Sequence, residues 1–413
     1  MPLLSFNAIR AKSNLVPDSE LARINYMRRN IALFGGDFTS LGITSYVPGR
    51  VHERTFTPEN VEGDDYSVRE NWFRRLSTFY PEFMLANRPT IAITNNDRLT
   101  TLITEVARQF LPELQRTNVD MLKLGYGVIA TDPLNPLRFI RWPSVNHYEV
   151  HDRTGAVVGD ILVRERNYDT ENQLLDVILY PVNGPARWRI YRHRGDTIED
   201  LVRSVTIPNR VGRQCIIMEH NADQTSLFDD IQESVGEVAR TLTRLSTSIS
   251  KNLRPHLAVP AGSVAVDEQG KAVIDVKGMV FPIPPEEKYP AYIQWDNKLE
   301  AVQGNVDMNI DNILVMVGLS RILVSPDKVI GQVSGTALRR MFVPFVAKLD
   351  HYAQINNTAI EQLISLYNTN RANMGMETFA INASDIQITW AYNEIFMDED
   401  TLEEQEDENT ETN

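Results

Sequence analysis

The sequence predicts an α+β fold, and three observations predict it. Apolar residues recur at helical spacing before Leu124, the period shifts toward two between Arg138 and about Glu219, and long helical patterns return from Phe228 onward, parted by one short β-rich stretch. With 413 residues, the chain has material for two or three domains around more than one core. Hydrophobic residues at 42% and charged residues at 23% are ordinary globular proportions. No apolar run approaches the roughly 20 residues that span a bilayer, and the opening MPLLSFNAIRAK has too short an apolar stretch for a signal peptide. No membrane partner is expected.

Leu21, Ile24, Met27 and Ile31 mark an amphipathic helix from Asp18 to Phe34, closed by Gly35 and Gly36. A polar, irregular stretch reaches about Ser67. Trp72, Phe73, Leu76, Phe79, Tyr80 and Phe83 make an aromatic-rich helix, expected to end near Pro81 or Pro89 because proline removes a backbone donor and crowds the preceding turn. Leu102, Val106, Phe110, Leu114 and Met121 define a helix from Leu99 to Leu124, which Pro112 is expected to kink or divide. It meets Gly125-Tyr126-Gly127 and an apolar strand at Val128-Ile129-Ala130. In the period-two region, residues 139–142, 157–163, 175–180 and 188–191 read as short strands, separated by turn residues such as Asp152, Gly155, Asn183, Gly184 and Pro185. This is an antiparallel module set between helical parts.

Phe228, Ile231, Val235, Val238, Leu242, Leu245, Ile249 and Leu253 alternate steps of three and four, a near-heptad seam on one long helix that Pro255 and Pro260 stop. Strands at 264–266, 272–276 and 279–281, turning at 267–270, make a compact β segment. A second long helix shows Leu299, Val302, Val306, Ile310, Ile313 and Val317 on one face and ends at Gly318. After a loop at 322–333, Ser334 is a suitable N-cap for a third long helix, with Leu338, Phe342, Phe345, Leu349, Tyr352, Asn356, Ala359, Leu363 and Tyr367 on its face. Pro344 lies inside it and predicts a kink. A short strand at 386–390 follows.

The formal charge of −14 is unevenly spread. Asp398, Glu399, Asp400, Glu403, Glu404, Glu406, Asp407, Glu408 and Glu411 contribute nine negative charges, which leaves −14 + 9 = −5 for the rest. That run repels itself and reads as a solvated, disordered segment, with a specific docking role as the alternative. The body has no basic excess, which argues against an ordinary high-affinity nucleic-acid binder. Arg240, Arg244, Lys251 and Arg254 form a basic stripe on the first long helix; Glu300, Asp307 and Asp311 form an acidic one on the second. Cys215 is the chain's one cysteine, so no intramolecular disulfide exists, as suits a reducing cytoplasm. It reads as a small core residue.

Val333-Ser334-Gly335-Thr336-Ala337-Leu338-Arg339-Arg340, leading into a long helix broken at Pro344, is similar to the S-G-x-A-L loop-to-helix junction of tailed-bacteriophage portal proteins. Phe139-Ile140-Arg141-Trp142-Pro143-Ser144-Val145 and Tyr148-Glu149-Val150-His151-Asp152 resemble wing strands of that family, and Ile388-Thr389-Trp390 its closing strand. The whole order from about 70 to 395 resembles the smaller siphophage-type portals, the head-to-tail connectors. The resemblance implies a portal fold: helices and a β-rich mixed α/β wing at 1–224, a first stem helix at 225–260, a clip at 261–296, a second stem helix at 297–321, a tunnel loop at 322–333, a kinked wing helix with a reduced crown at 334–395, and the acidic segment 396–413.

By the same resemblance the chain would form a ring, a dodecamer, at one capsid vertex of the virion, assembled in the host cytoplasm. Double-stranded DNA would pass non-specifically during packaging and ejection. The partners implied are the terminase large subunit, a head-completion adaptor, and the major capsid and scaffold proteins. Asp267, Glu268 and Lys277 would belong to the clip's docking rim. Two readings of the stem stripes stay open: Arg240, Arg244, Lys251 and Arg254 pair with the acidic stripe across or within subunits, or Glu300, Asp307 and Asp311 line the channel and keep phosphate from gripping. Lys328 would form a phosphate-touching collar or be a solvated loop lysine, and Val329 and Ile330 would narrow the passage. A smaller head-tail adaptor ring and an unrecognised α+β enzyme are the alternatives. The sequence holds no G-x-x-x-x-G-K-[ST], G-x-S-x-G, H-E-x-x-H or C-x-x-C pattern, so no catalytic residue and no cofactor is expected. His147 and His151, four apart in strand-like sequence without a third ligand nearby, share a face only loosely and are not expected to bind metal.

Overall fold

The structure, a computed structural model, describes residues 19–41, 71–86, 88–94, 96–167, 173–194, 197–252, 256–260, 280–283, 291–293, 299–320 and 335–392. Its elements in chain order are α1 (Ser19–Phe34), α2 (Trp72–Ala86), β1 (Thr90–Ile93), α3 (Asp97–Leu124), β2 (Tyr126–Thr131), β3 (Phe139–Trp142), β4 (His147–His151), β5 (Val157–Asn167), β6 (Gln173–Pro181), β7 (Pro185–Arg194), β8 (Thr197–Val211) and β9 (Cys215–Glu219). There follow α4 (Leu227–Asn252), β10 (His256–Pro260), β11 (Val280–Ile283), β12 (Ala291–Ile293), α5 (Leu299–Met316), α6 (Gly335–Asn373) and β13 (Ile386–Thr389). Helices and largely antiparallel sheets make this an α+β chain, as the sequence predicts. It divides into two units: 1–35, 72–230 and 317–413 form the first, and 36–71 and 231–316 the second.

In the first unit, α3 is the helix against which the others are arranged. Asn96 caps it, its side chain accepting from the Leu99 amide at 3.0 Å, and Gly125, at φ 93°, closes it with its amide on the Met121 carbonyl. Ile103, Phe110, Leu114 and Met121 are buried along it. The chain then doubles back as β2, whose six residues are all buried. Such close return requires glycine at 127: a Cβ there would lie 2.4 Å from the Thr117 carbonyl oxygen. β2 is the central strand of β3–β2–β9, antiparallel on both sides.

Strands β4 to β8 follow as a five-stranded antiparallel meander in chain order. Its two faces build different cores. Tyr148, Val150, Ile161, Val163, Leu175 and Tyr191 gather with Ile24 of α1 on one side. Leu162, Ile178, Tyr180 and Ala186 gather with Met27, Val128 and Trp142 on the other. The longest strand, β8, lacks clean alternation and lies at the sheet's edge, where Pro208 can sit without costing a ladder bond to a further strand.

Helix α2 runs through Pro81 and ends at Ala86, close to Pro89, the second of its two expected stops, and α3 runs through Pro112 undivided. Burial of Trp72, Phe73, Leu76, Tyr80, Pro81 and Met84 outweighs the roughly 3 kcal/mol that an interior proline costs. Helix α6, 39 residues long, contains Pro344 in its first third. Its stripe Phe345, Leu349, Tyr352, Ala359 and Leu363 is buried, and the rings of Tyr80 and Phe83 meet Phe345 at centroid distances of 5.7 and 5.1 Å. Asn356, a polar residue on that apolar stripe, exchanges side-chain amide bonds with Asn118 of α3 at 2.7 and 3.1 Å. Strand β13 pairs antiparallel with β1, and Trp390 donates to Asn357.

In the second unit, α4 ends at Asn252, before Pro255, and residues 256–260 form a strand where a helix reaching 260 was expected. Proline at 255 cannot donate into a helix and biases its predecessor toward extended backbone. β10 pairs parallel with β11 and antiparallel with β12. The expected strands at 264–266 and 272–276 and the Ser334 cap lie outside the described residues. Gly304 sits inside α5, where a Cβ would meet nothing within 4 Å.

Gly127 and Gly304 give opposite expectations. Gly127→Ala should destabilise the protein by about 2 kcal/mol, because a backbone carbonyl must move. Gly304→Ala should be neutral or stabilise by up to about 1 kcal/mol through helix propensity. Thermal unfolding of the two variants checks both signs.

Candidate functional site

The residues singled out in the sequence fall into three groups. Lys328, Val329, Ile330, Asp267, Glu268, Lys277 and Arg254 lie outside the described residues. Arg244 and Lys251 lie on α4. Arg240 is also on α4, bonded to Glu237 at 3.0 Å and to the Leu41 carbonyl at 3.3 Å, so this member of the basic stripe is engaged inside its own unit.

Glu300, Asp307 and Asp311 all lie on α5 and, at about 100° per residue, share a narrow arc. Glu300 is exposed, whereas Asp307 and Asp311 are half-buried. Val306, Ile313 and Leu314 are buried on one side of that arc. The exposed flank is a different one: Ala301, Gly304, Met308, Asn312 and Val315, small, amide and apolar residues without charge. The acidic stripe therefore borders the exposed face of α5 instead of occupying its centre. Spacing alone showed the stripe; only burial placed it at the margin.

A buried polar cluster among the described residues comes from side chains the sequence left as ordinary. Asp160, on β5, is fully buried. It accepts from His147 Nε2 at 3.0 Å and from Arg213 at 2.7 and 2.8 Å, and Arg213 also reaches Glu149 at 2.9 Å. Cys215 Sγ lies 3.9 Å from the same His147 nitrogen. His147 and His151 stand at the two ends of β4, and the register irregularity beside His151 leaves Val158 of β5 unpaired against β4. His147 is buried, while His151, at the strand's outer end, is exposed and lies 3.1 Å from the Gly155 carbonyl and 3.7 Å from Glu149.

A cysteine, a histidine and an aspartate in contact invite comparison with a nucleophile–base–orienter set. The geometry opposes it. Such a relay needs the carboxylate on one ring nitrogen and the thiol on the other. Here both meet Nε2, and Nδ1 is buried without a hydrogen-bond partner. Burial also pushes the Cys215 thiol well up, away from the thiolate that reacts. The three donor atoms are within 4.8 Å of one another, close enough to hold a metal ion. The fixed charge of Arg213 already occupies both oxygens of Asp160, so a cation there would meet a guanidinium at hydrogen-bonding distance from its own ligand. The donor set fits an internal ion-pair knot better than a metal centre.

A cleft of about 540 Å³ opens beside this knot, with Gly212, Arg213 and Cys215 on one wall and Gln362, Ser365 and Thr369 of α6 on the other. It offers hydroxyls, an amide and one arginine already committed to carboxylates, and no acid–base pair poised for proton transfer. Among the described residues, no helix is long and apolar enough to cross a membrane.

Burial pushes the Asp160 carboxyl up, but hydrogen bonds from His147 and Arg213, with their charges, outweigh it and hold the group below the ordinary carboxylate range. Its contribution is therefore complete above that range and is lost as pH falls through the depressed folded value. Asp160→Asn should cost about 2–3 kcal/mol, less than a fully buried pair because Arg213 keeps contact with water. Urea midpoints from about pH 6 to about pH 2 should show the gap between wild type and variant closing at the acid end. A constant gap would mean that Asp160 does not act through its charge.

No family model matches the chain, and no curated protein matches it. Among solved structures, the chain is similar to one described as the virion of a native gene transfer agent particle, with a TM-score of 0.41 and 10% identity, covering 77% of this chain and 79% of that one.

Proposed function

We propose that the chain is a subunit of a tailed-phage portal ring, a conduit for double-stranded DNA at one capsid vertex with no catalytic activity of its own. The observation that carries this reading is the succession of α4, the small sheet β10–β12, α5 and the 39-residue α6, the last entered through Ser334-Gly335-Thr336-Ala337-Leu338. That is the order the sequence resemblance implies for stem, clip, stem and wing helix.

A cyclic ring joins each subunit to the next through two different surfaces. The uncharged exposed flank of α5 (Ala301, Gly304, Met308, Asn312 and Val315) suits a close helix contact or a passage wall. Neither use grips phosphate. Several Lys or Arg contacts would bind a duplex tightly and resist sliding, whereas a conduit must let it move. The energy for packaging then comes from a separate terminase, docked at the clip near Asp267, Glu268 and Lys277, and the head-completion adaptor follows it there. Lys328 supplies a collar of charge and Val329 and Ile330 a steric narrowing. Capsid and scaffold proteins surround the wing.

Negative-stain electron microscopy of the protein, purified alone and with its scaffold, tests the proposal. Rings with a central hole that admits duplex DNA are expected. Monomers or compact dimers under both conditions, accompanied by hydrolytic or nucleotide-dependent turnover, would replace it with the enzyme reading. A second test concerns the lining: Glu300→Lys should leave rings intact and slow packaging at low salt, with recovery as salt rises. Unchanged packaging removes the acidic lining from the mechanism.

A further inference from the structure

Strand β9 is an outer strand of the three-stranded sheet, and its free edge faces the cleft beside α6. The His220 amide donates to the Gly125 carbonyl and the Thr131 amide to the Gln214 carbonyl, each at 2.9 Å. In an antiparallel ladder such bonds fall on every second residue. Gln214, Ile216, Met218 and His220 therefore turn their backbone groups toward β2, while Cys215, Ile217 and Glu219 turn theirs away from it. Among the described residues, no hydrogen bond reaches the amide or carbonyl of any of these three. The cleft runs along this edge. Cys215, Ile216 and Ile217, three successive residues, form one wall, and Gln362, Ser365 and Thr369 of α6 form the other. Those three helix residues are exposed and, at steps of three and four, share one face.

A row of donors and acceptors repeating at about 6.6 Å is matched by extended backbone. From Cys215 to Glu219 the row spans on the order of 13 Å, enough to pair about five residues. Spread over that length, 540 Å³ gives a cross-section of about 40 Å², close to one strand at about 4.8 by 10 Å. One strand fits, and the layers that flank a folded sheet do not. Arg213 is the charged member of the lining, and its guanidinium already meets Asp160 and Glu149. Glu219, at the far end, accepts from Gln224 at 2.8 Å. The slot therefore favours neither an acidic nor a basic segment.

We propose that β9 is extended by one strand of a partner protein, an uncharged segment of about five residues lying between β9 and α6. Its backbone pairs with Cys215, Ile217 and Glu219. Its alternate side chains, polar and uncharged, meet the hydroxyls of Ser365 and Thr369 and the amide of Gln362. Backbone pairing supplies the affinity and the α6 wall the selectivity. The slot belongs to one subunit and does not depend on ring formation.

Acetylated and amidated octapeptides of Ser, Thr, Gln, Val and Ile, screened as a fluorescent library on the full-length protein, test it. Binding members are expected. In the tightest of them, N-methylation at alternate residues should weaken binding about tenfold, the effect of losing one or two backbone bonds. Methylation at the intervening residues should leave it unchanged. Ser365→Arg, at an exposed position, should fill the slot and weaken binding at least as much, with the unfolding midpoint unchanged. Exchange of the Ile217 amide should be fast in the free protein and slow with peptide bound. A library without binders, or binding indifferent to both N-methylation and Ser365→Arg, overturns the proposal. Protection of that amide in the protein alone, relieved by dilution, assigns the edge to another copy. Protection that persists on dilution assigns it to a segment of the same chain, and either result overturns docking of a partner.

Discussion

The buried carboxylate of Asp160 is the constraint on which the first unit's β architecture depends. It sits near the start of β5 and ties that strand to β4 through His147 and to the turn before β9 through Arg213. Those bonds join the five-stranded sheet to the three-stranded one. A charge so placed is tolerable only while both partners remain, since desolvation alone would drive it neutral. The knot therefore fixes where the two sheets meet. Cys215 and His147 are held in contact as a consequence of that junction, which explains an enzyme-like trio whose ring nitrogen is used twice and whose thiol is buried.

Helices are fixed on this frame by a second polar pair inside an apolar seam. Asn118 and Asn356 satisfy each other between α3 and α6, and a slip of either helix by one residue would bury two unpaired amides. The aromatic rings of Tyr80, Phe83 and Phe345 supply the bulk contact around it, but bulk contact is less selective about register. Specificity of packing comes from a few polar groups, and stability from the apolar area they interrupt.

The polar groups outside the core are arranged quite differently. The exposed flank of α5 is uncharged, while Arg164 and Arg166 of β5 both meet the buried carboxylate of Asp176.

The sequence by itself determined the α+β class, the helices at both ends of the described chain, the antiparallel block between Arg138 and Glu219, and the long helices after Phe228. Periodicity is a local property, so each of these was legible without knowing what any residue touches. The stripe Glu300, Asp307 and Asp311 was legible in the same way. Its position beside the exposed face was not, because exposure depends on which other elements cover a helix. Which of Pro81 and Pro89 stops α2, and whether Pro112 divides α3, stayed open for that reason: a proline's local cost is fixed, but the burial that offsets it belongs to neighbouring helices and strands. His147 and His151 differ because one lies under neighbouring elements and the other at an open strand end, which no spacing rule encodes. Asp160 and Arg213, like Asp176 and the arginines of β5, are apart in sequence, and only strand pairing brought them together. The tertiary structure alone decided these sites, because hydrogen bonds and charge clusters are made between strands, whereas sequence patterns run along them.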